Sequence, residues 1–237
     1  MPRLPETELP KASPEPIDLV LFDCDGTLVE SEALMHDVRM RHFSALGIAC
    51  TARELAVRYN GVRYPELIAD LSARSGVTIG AEIFDAIEQD FTTRCTTELR
   101  SVAGAADMLA ALKVPFCLVS NSPRPRLIHM LRSAGLLTHF GPRIVSALDV
   151  GIPKPKPDVF LLAAELMNVP PSRCLVVEDS LFGLKAGRAA GMRVAAYLGA
   201  SHQVEELVAP VRAARPDFIV ETMAELPGLV AMQAPAG

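Results

Sequence analysis

The chain has 237 residues, of which 50% are hydrophobic and 22% are charged, and its formal net charge is −5. This length and composition are typical of a globular protein with one or two domains and a sizeable buried core. The acidic balance argues against non-specific binding of nucleic acids, which requires a basic surface. No segment reaches the roughly 20 consecutive apolar residues that a membrane-spanning helix needs, so we expect no membrane partner.

The amino-terminal segment is rich in proline and glutamate and contains no apolar stretch. We interpret residues 1–15 as a disordered tail rather than a secretory signal or a transit peptide. The five cysteines are odd in number, scattered and free of any CxxC pair, and the five histidines show no metal-ligand spacing. This pattern is typical of reduced thiols and indicates a cytoplasmic protein.

Short apolar runs rich in β-forming residues alternate with longer helical patterns along the chain. Near-continuous apolar runs are typical of strands that are buried on both faces of a parallel sheet. The alternation predicts an α/β fold with a doubly wound, Rossmann-like parallel sheet. The predicted strands are Ile17–Phe22, Val114–Val119, Arg143–Ser146, Cys174–Val177, Arg193–Tyr197 and Asp217–Val220.

The long region between the first and second predicted strands contains only helical periodicity. Because it is too long for a crossover helix, we interpret residues 31–99 as an inserted α-helical domain. The Rossmann-like core then consists of residues 16–30 and 100–237. We expect Leu28–Glu30 and Leu99–Gly104 to form two hinge strands that connect the insertion to the sheet.

Two carboxylates directly follow the first predicted strand, in the sequence DCDGT at residues 23–27. In an open parallel sheet, ligands bind at the carboxyl ends of the strands. Acids at positions i and i+2, followed by glycine, suit a turn that directs both acids and several backbone N–H groups at one anion. Asp23 and Asp25 are therefore candidate catalytic residues.

Other polar residues lie at comparable places further along the chain. Ser120 and Asn121 directly follow the second predicted strand, and the acidic pair Glu178 and Asp179 follows the strand CLVV. The loop KPKPD at residues 154–158 offers two lysines, between which physical arguments alone do not choose.

Taken in this order, the motifs resemble those of the haloacid dehalogenase-like hydrolase superfamily. The similarity is greatest to its β-phosphoglucomutase and phosphatase subgroup, whose members carry a helical cap, and within it to 6-phosphogluconate phosphatase-like proteins. The segments FDCDGTLV, the dipeptide GV at residues 61–62, VSN and MNV carry this resemblance. It extends from Pro16 to about Gly228 and implies a Rossmann-like core with a cap domain.

The resemblance implies a magnesium-dependent phosphatase that hydrolyses a small phosphorylated metabolite through an aspartyl-phosphate intermediate. Asp23 would be the nucleophile, and Asp25 would be the general acid and base. Of the two lysines, the resemblance selects Lys154 to neutralise charge on the phosphate and the nucleophile. The other implied residues are Ser120 and Asn121 for the phosphate, and Asp23, Asp25, Glu178 and Asp179 for Mg²⁺.

The resemblance leaves the substrate and the partners less defined. Arg63, beside the GV dipeptide, is our candidate to bind a second anionic group, such as the carboxylate of 6-phosphogluconate. Two alternatives stay open, namely a β-phosphoglucomutase-type isomerase and a non-catalytic sugar-phosphate-binding protein. Dehalogenation is disfavoured because it needs neither Asp25 nor magnesium. We expect a monomer or a weak homodimer.

Overall fold

The structure, a computed structural model, describes residues 15–59, 62 and 64–233. The predicted tail over residues 1–15 therefore lies outside the described residues, except for Glu15. The Glu15 carboxylate accepts a hydrogen bond from the Ser172 hydroxyl at 2.7 Å. Within the described ranges, no helix combines the length and the apolar character that crossing a membrane requires.

Six parallel strands form one sheet in the order β3-β2-β1-β4-β5-β6. Every predicted strand is present, with ends that differ by at most two residues. The chain moves from β1 to one side of the sheet and then returns to the other side, so the direction of winding reverses between β1 and β4. The strands are β1 Leu19–Phe22, β2 Phe116–Ser120, β3 Ile144–Ser146, β4 Cys174–Glu178, β5 Arg193–Tyr197 and β6 Phe218–Val220.

The region between β1 and β2 is helical, as predicted, and the structure describes no strand in residues 31–59, 62 or 64–99. Its helices are α1 Ser31–Ala45, α2 Ala52–Tyr59, α3 Tyr64–Ser75 and α4 Glu82–Glu98. The last of these helices, α4, continues for almost two turns beyond Phe91. Cys95, on that extension, is buried like Phe91 and Ile87, so the apolar face of the helix continues.

The prediction of two hinge strands at Leu28–Glu30 and Leu99–Gly104 is wrong in extent. The two segments do pair, but only through an isolated bridge between Val29 and Ser101. The Glu30 N–H donates to the Arg100 carbonyl at 3.0 Å, and the Val102 N–H donates to the Leu28 carbonyl at 2.9 Å. Pairing stops there because Gly104 has a φ of 76° and turns the chain directly into the next helix.

The remaining helices cover both faces of the sheet. Alternate residues of β1 point to opposite faces, yet all four are fully buried. Val20 and Phe22 pack in one apolar cluster, and Leu19 and Leu21 pack in a second cluster on the other face. These helices are α5 Ala105–Ala111, α6 Arg124–Ser133, α7 Leu137–Phe140, α8 Ala147–Val150, α9 Asp158–Leu166, α10 Leu181–Ala189, α11 Glu205–Ala213 and α12 Leu226–Met232.

Candidate active site

A cleft of about 780 Å³ opens where β1, β2 and β4 end, and both the core and the helical insertion line it. This is the edge at which an open parallel sheet binds its ligands, beside the reversal between β1 and β4. Seven of the residues selected from the sequence line the cleft, although they come from four separate segments. They are Asp23, Asp25, Ser120, Asn121, Lys154, Glu178 and Asp179. The eighth, Arg63, lies outside the described residues.

Three carboxylates form a buried cluster in this cleft. One oxygen each from Asp23, Glu178 and Asp179 lie within 4.8 Å of one another. Burial raises the pKa of Asp23 well above its usual value, and the negative charge of Glu178 adds to the effect. Such a group of hard oxygen donors, with more negative than positive charge, fits a divalent cation such as Mg²⁺.

Lys154 lies against this cluster and is itself buried, with 3% of its side chain exposed. Its ammonium donates to Asp23 Oδ1 and Glu178 Oε1, both at 2.6 Å, and to the Val119 carbonyl at 2.8 Å. Burial would lower the pKa of Lys154, but the charges of Asp23 and Glu178 outweigh it and raise that pKa. Lys156, in contrast, is exposed. Burial therefore distinguishes the two lysines, between which physical arguments from the sequence alone did not choose.

Glu178 is fixed at the end of β4 through both of its carboxylate oxygens. Oε1 accepts from Lys154, while Oε2 accepts from the Ser180 N–H at 3.2 Å and the Ser180 hydroxyl at 2.8 Å. The Ser180 hydroxyl also caps α10 by accepting from the Gly183 N–H at 3.1 Å. A Cβ on Gly183 would lie 1.8 Å from the Glu178 carboxyl carbon, so this arrangement requires glycine.

Asp25 is oriented by two hydroxyls that the sequence did not single out. Ser31 Oγ, at the first residue of α1, donates to Asp25 Oδ1 at 2.7 Å, and Ser122 Oγ donates to Asp25 Oδ2 at 2.8 Å. Ser120 Oγ is 3.5 Å from the same carboxylate, which is too long for a strong bond, and it accepts from the Ser122 N–H at 3.0 Å.

The Asn121 side chain holds the lysine loop rather than pointing to the carboxylates. Its Oδ1 accepts from the Lys154 backbone N–H at 2.9 Å, and its Nδ2 lies 3.4 Å from the Lys154 carbonyl. These bonds connect the end of β2 to the loop that carries the ammonium. The backbone N–H of Asn121, not its amide, is therefore the group that stays available for our predicted phosphate contact.

Asp179 also has a partner on each oxygen. Thr27 Oγ1 donates to Oδ1 at 3.1 Å, and His202 Nε2 lies 3.1 Å from Oδ2. The His202 side chain is only 7% exposed, and its hydrogen bond and the charge of Asp179 raise its pKa in spite of burial. Gly26 has a φ of +75°, and a Cβ there would lie 2.5 Å from Asp179 Oδ2. The turn after β1 therefore packs directly on Asp179.

Sequence reasoning missed Ser31, Ser122 and His202. His202 follows β5, the strand next to β4, so inspecting the end of every strand at this edge would have found it. Ser122 lies two residues beyond Ser120 on the same loop. Ser31 gave no local signal, because its role depends on where α1 begins relative to Asp25.

A family model described as a haloacid dehalogenase-like hydrolase matches residues 17–191. The chain belongs to the haloacid dehalogenase-like hydrolase family. This confirms the resemblance that the motifs indicated, and the parallel sheet and its winding agree with it.

Members of the haloacid dehalogenase-like family that resemble this chain cover most of its length. The 6-phosphogluconate phosphatase of Escherichia coli (strain K12) is 33% identical over 187 residues, or 78% of this chain and 85% of that relative. A haloacid dehalogenase-like protein of unknown function from Agrobacterium tumefaciens has a TM-score of 0.84 and 34% identity, covering 91% of this chain and 98% of its own.

A family hydrolase from Deinococcus radiodurans, solved with bound phosphate and sodium, has a TM-score of 0.82 and 33% identity. The match covers 93% of this chain and 99% of that one. The chain is therefore an enzyme of the hydrolase class, and its relatives support a phosphoric monoester hydrolase.

Proposed function

We propose that the protein is a magnesium-dependent phosphatase that hydrolyses a small phosphorylated metabolite through a phosphorylated Asp23. The observation that carries this proposal is the buried contact of Asp23 with Lys154, next to Asp179 and within a cleft that also contains Asp25. One nucleophile, one cation and one separately held carboxylate are the groups that a two-step phosphoryl transfer requires.

In the first step, Asp23 attacks phosphorus and the bond from phosphorus to the leaving oxygen breaks. Asp25 donates a proton to that oxygen, and the hydrogen bonds from Ser31 and Ser122 hold its carboxyl group in position. In the second step, Asp25 takes a proton from a water molecule, which attacks the phosphorus of phospho-Asp23. Free phosphate leaves and the Asp23 carboxylate is regenerated.

Charge stabilisation is the main contribution that a protein makes to this reaction. The Lys154 ammonium neutralises the nucleophile and, with the Ser120 hydroxyl and the Asn121 backbone N–H, binds the phosphoryl oxygens. Asp23, Asp179 and the backbone carbonyl of Asp25 would hold Mg²⁺. The bound ion would supply further neutralisation of the phosphoryl oxygens.

We assign Glu178 mainly to the positioning of Lys154. Both of its oxygens already accept hydrogen bonds, from Lys154 and from Ser180. A direct bond from Glu178 to the ion would compete with these contacts, so a contact through water is better compatible with the observed geometry.

The helices between β1 and β2 would form a cap domain over the chemistry. Core and insertion residues line the same cleft, and the Arg126 guanidinium on α6 donates to Glu88 on α4 at 3.0 Å. A cap of this kind excludes water and contacts the part of the substrate that does not react.

The substrate would be a sugar phosphate or a phosphorylated sugar acid such as 6-phosphogluconate. The similarity to the Escherichia coli 6-phosphogluconate phosphatase supports this class. Arg63 stays a predicted contact for the carboxylate. A β-phosphoglucomutase-type isomerase remains the second candidate, which a bisphosphate requirement and retention of phosphate on the sugar would reveal.

The test is phosphate release from a panel of phosphorylated sugars, sugar acids and polyols, with magnesium and with a chelator. Asp23→Asn should abolish release, whereas Asp85→Asn, at an exposed position on α4, should not change it. Release that persists in Asp23→Asn or in chelator would contradict the mechanism. If only a bisphosphate-dependent isomerisation is observed, the second candidate replaces the first.

A further inference from the structure

One face of α1 lines the cleft over two helical turns. Glu32, His36 and Arg39, at positions i, i+4 and i+7, all line it. The helix begins at Ser31, whose hydroxyl contacts Asp25, so this face leads away from the reacting carboxylates. At 1.5 Å per residue, the Arg39 backbone is about 12 Å along the helix from Ser31. Helical side chains lean toward the amino terminus, so the guanidinium extends back over the cleft.

Arg39 is the cation of this wall without an anionic partner. Its Nε donates to the Tyr64 hydroxyl at 3.3 Å, and its guanidinium carbon lies 5.0 Å from the centre of the Tyr64 ring. Among the described residues, no carboxylate lies within ion-pair distance of it. Tyr64 is held in turn by an edge-to-face contact with Phe84, with ring centres 4.4 Å apart. The guanidinium is therefore held by contact with an aromatic side chain, whereas the charge of Glu32 acts on it only from beyond ion-pair distance.

The other arginine in the cleft wall differs in this respect. Arg126 donates to both oxygens of Glu88, at 3.0 and 3.3 Å, and its guanidinium carbon lies 4.3 Å from the centre of the Phe91 ring. Its charge is already compensated, so it offers less to an anionic ligand. A guanidinium outside any ion pair, such as that of Arg39, matches one negative charge and the two oxygens of a carboxylate.

Two polar side chains lie between Arg39 and the reacting carboxylates. His36 is buried, and its ring nitrogen is 3.8 Å from the Glu32 carboxylate. Burial and the charge of Arg39 lower the pKa of His36 to about 4, so the ring is neutral near pH 7 and both donates and accepts hydrogen bonds. Such a wall suits the hydroxyl groups of a polyol chain between two charged ends.

We infer that Arg39 binds a terminal carboxylate of the substrate, so that the enzyme selects phosphomonoesters whose polyhydroxylated chain ends in an acid group. This inference rests on the proposed phosphatase activity and adds a residue and a chemical class to it. It assigns the selection of the terminal carboxylate to a residue of α1, and it does not depend on the predicted role of Arg63.

The experiment compares two phosphomonoesters of equal chain length, 6-phosphogluconate and glucitol 6-phosphate, which differ in a carboxylate against a hydroxymethyl group. We expect the wild type to prefer the acid in kcat/KM by about ten- to hundred-fold, the value of a charge-assisted contact. Arg39→Gln should bring this ratio close to one, mainly through the KM of the acid, and Arg39→Lys should restore part of it. The control is Arg41→Gln, on the exposed side of the same helix, which should leave the ratio unchanged.

A binding measurement separates the inference from the proposed chemistry. In the Asp23→Asn background, calorimetry of the same two compounds should show tighter binding of the acid, and adding Arg39→Gln should remove the difference. If both compounds are hydrolysed but Arg39→Gln keeps the preference, the Arg39 inference is wrong and the phosphatase stands. If neither compound is hydrolysed, the difference in binding affinity between them decides alone. Loss of this difference in Arg39→Gln supports the carboxylate subsite. A difference that persists in Arg39→Gln, or that is absent without this substitution, overturns the subsite.

Discussion

Lys154 Nζ lies 2.6 Å from Glu178 Oε1, and the two side chains are only 3% and 1% exposed. The same ammonium contacts Asp23, the proposed nucleophile, at 2.6 Å, so one cation bridges Asp23 and the carboxylate at the end of β4. Burying this much charge is unfavourable unless the partners satisfy one another. The stability of the core and the proposed reactivity of Asp23 therefore depend on the same contacts.

Lys154→Met should destabilise the protein in a pH-dependent way. The substitution leaves the buried Asp23 and Glu178 carboxylates without their cation, which should lower the free energy of unfolding by about 3–5 kcal/mol at pH 8. Burial already raises the pKa of Asp23 in the folded state, and loss of the cation should raise that pKa further. The loss of stability should therefore be smaller at pH 5, where the folded state more readily holds a proton on Asp23.

Urea unfolding at both pH values measures this effect, with Lys156→Met at the exposed position as the control. An equal loss of stability at pH 5 and pH 8 would show that the ammonium does not act through the two carboxylates.

Gly183→Ala should impair the active site indirectly, by displacing the Glu178 carboxylate. The added Cβ would lie 1.8 Å from the Glu178 carboxyl carbon, so the carboxylate must move away from Lys154 or from Ser180. We expect phosphate release to fall at least about ten-fold and stability to fall by about 1–3 kcal/mol. Gly228→Ala is the control, because a Cβ there has no neighbour within 4 Å. Wild-type turnover in Gly183→Ala would refute the positioning role of Glu178.

His202→Ala should raise the magnesium concentration required for activity. The imidazole orients Asp179 Oδ2 at 3.1 Å, and losing an outer partner of this kind weakens metal binding about ten-fold or more. His202→Gln, which keeps a hydrogen-bond donor, should be affected less. The measurements are a magnesium titration of phosphate release and calorimetric binding of the ion. His139→Gln, at a half-buried position outside the cleft, is the matched control. An equal shift in the magnesium requirement of that variant would contradict the role of His202.

His36 should make stability depend on pH in the acidic range. Its pKa is lowered to about 4 in the folded state, first by burial and then by Arg39, from an ordinary value of 6.5. Between these values the unfolded chain binds a proton that the folded protein does not. The neutral His36 ring therefore contributes to the free energy of unfolding, and this contribution is fully present above pH 6.5. It is lost as the pH falls to 4, which lowers the free energy of unfolding by about 3 kcal/mol in total.

His36→Gln removes this titration. The pH dependence of the unfolding free energy from pH 7.5 to 4.5 should therefore be shallower in the variant than in the wild type. Parallel stability curves would mean that His36 is protonated equally in both states.

The strands could be predicted from sequence because each is a short apolar run buried on both faces, as β1 and β4 are. The candidate site followed from the rule that ligands bind at strand ends, which placed Asp23, Asp25 and Asp179 together. The strand-end rule could have placed His202 at this edge, but neither its contact with Asp179 nor the contact of Ser31 with Asp25 was predictable. They depend on the entry angle of α1 and on the course of the loop after β5, which packing determines and local patterns do not encode.

The two ends of the helical region lie side by side. Val29 pairs with Ser101, and the Glu30 N–H donates to the Arg100 carbonyl. The chain leaves the sheet and returns to it at one place, so the polypeptide between these points resembles an insertion into a surface turn. Domain insertions are tolerated where their two ends lie close together. Under the proposed function, the helices between β1 and β2 could therefore be exchanged or remodelled by recombination while Asp23, Asp25 and Asp179 keep their places. New specificities could then arise on an unchanged reaction.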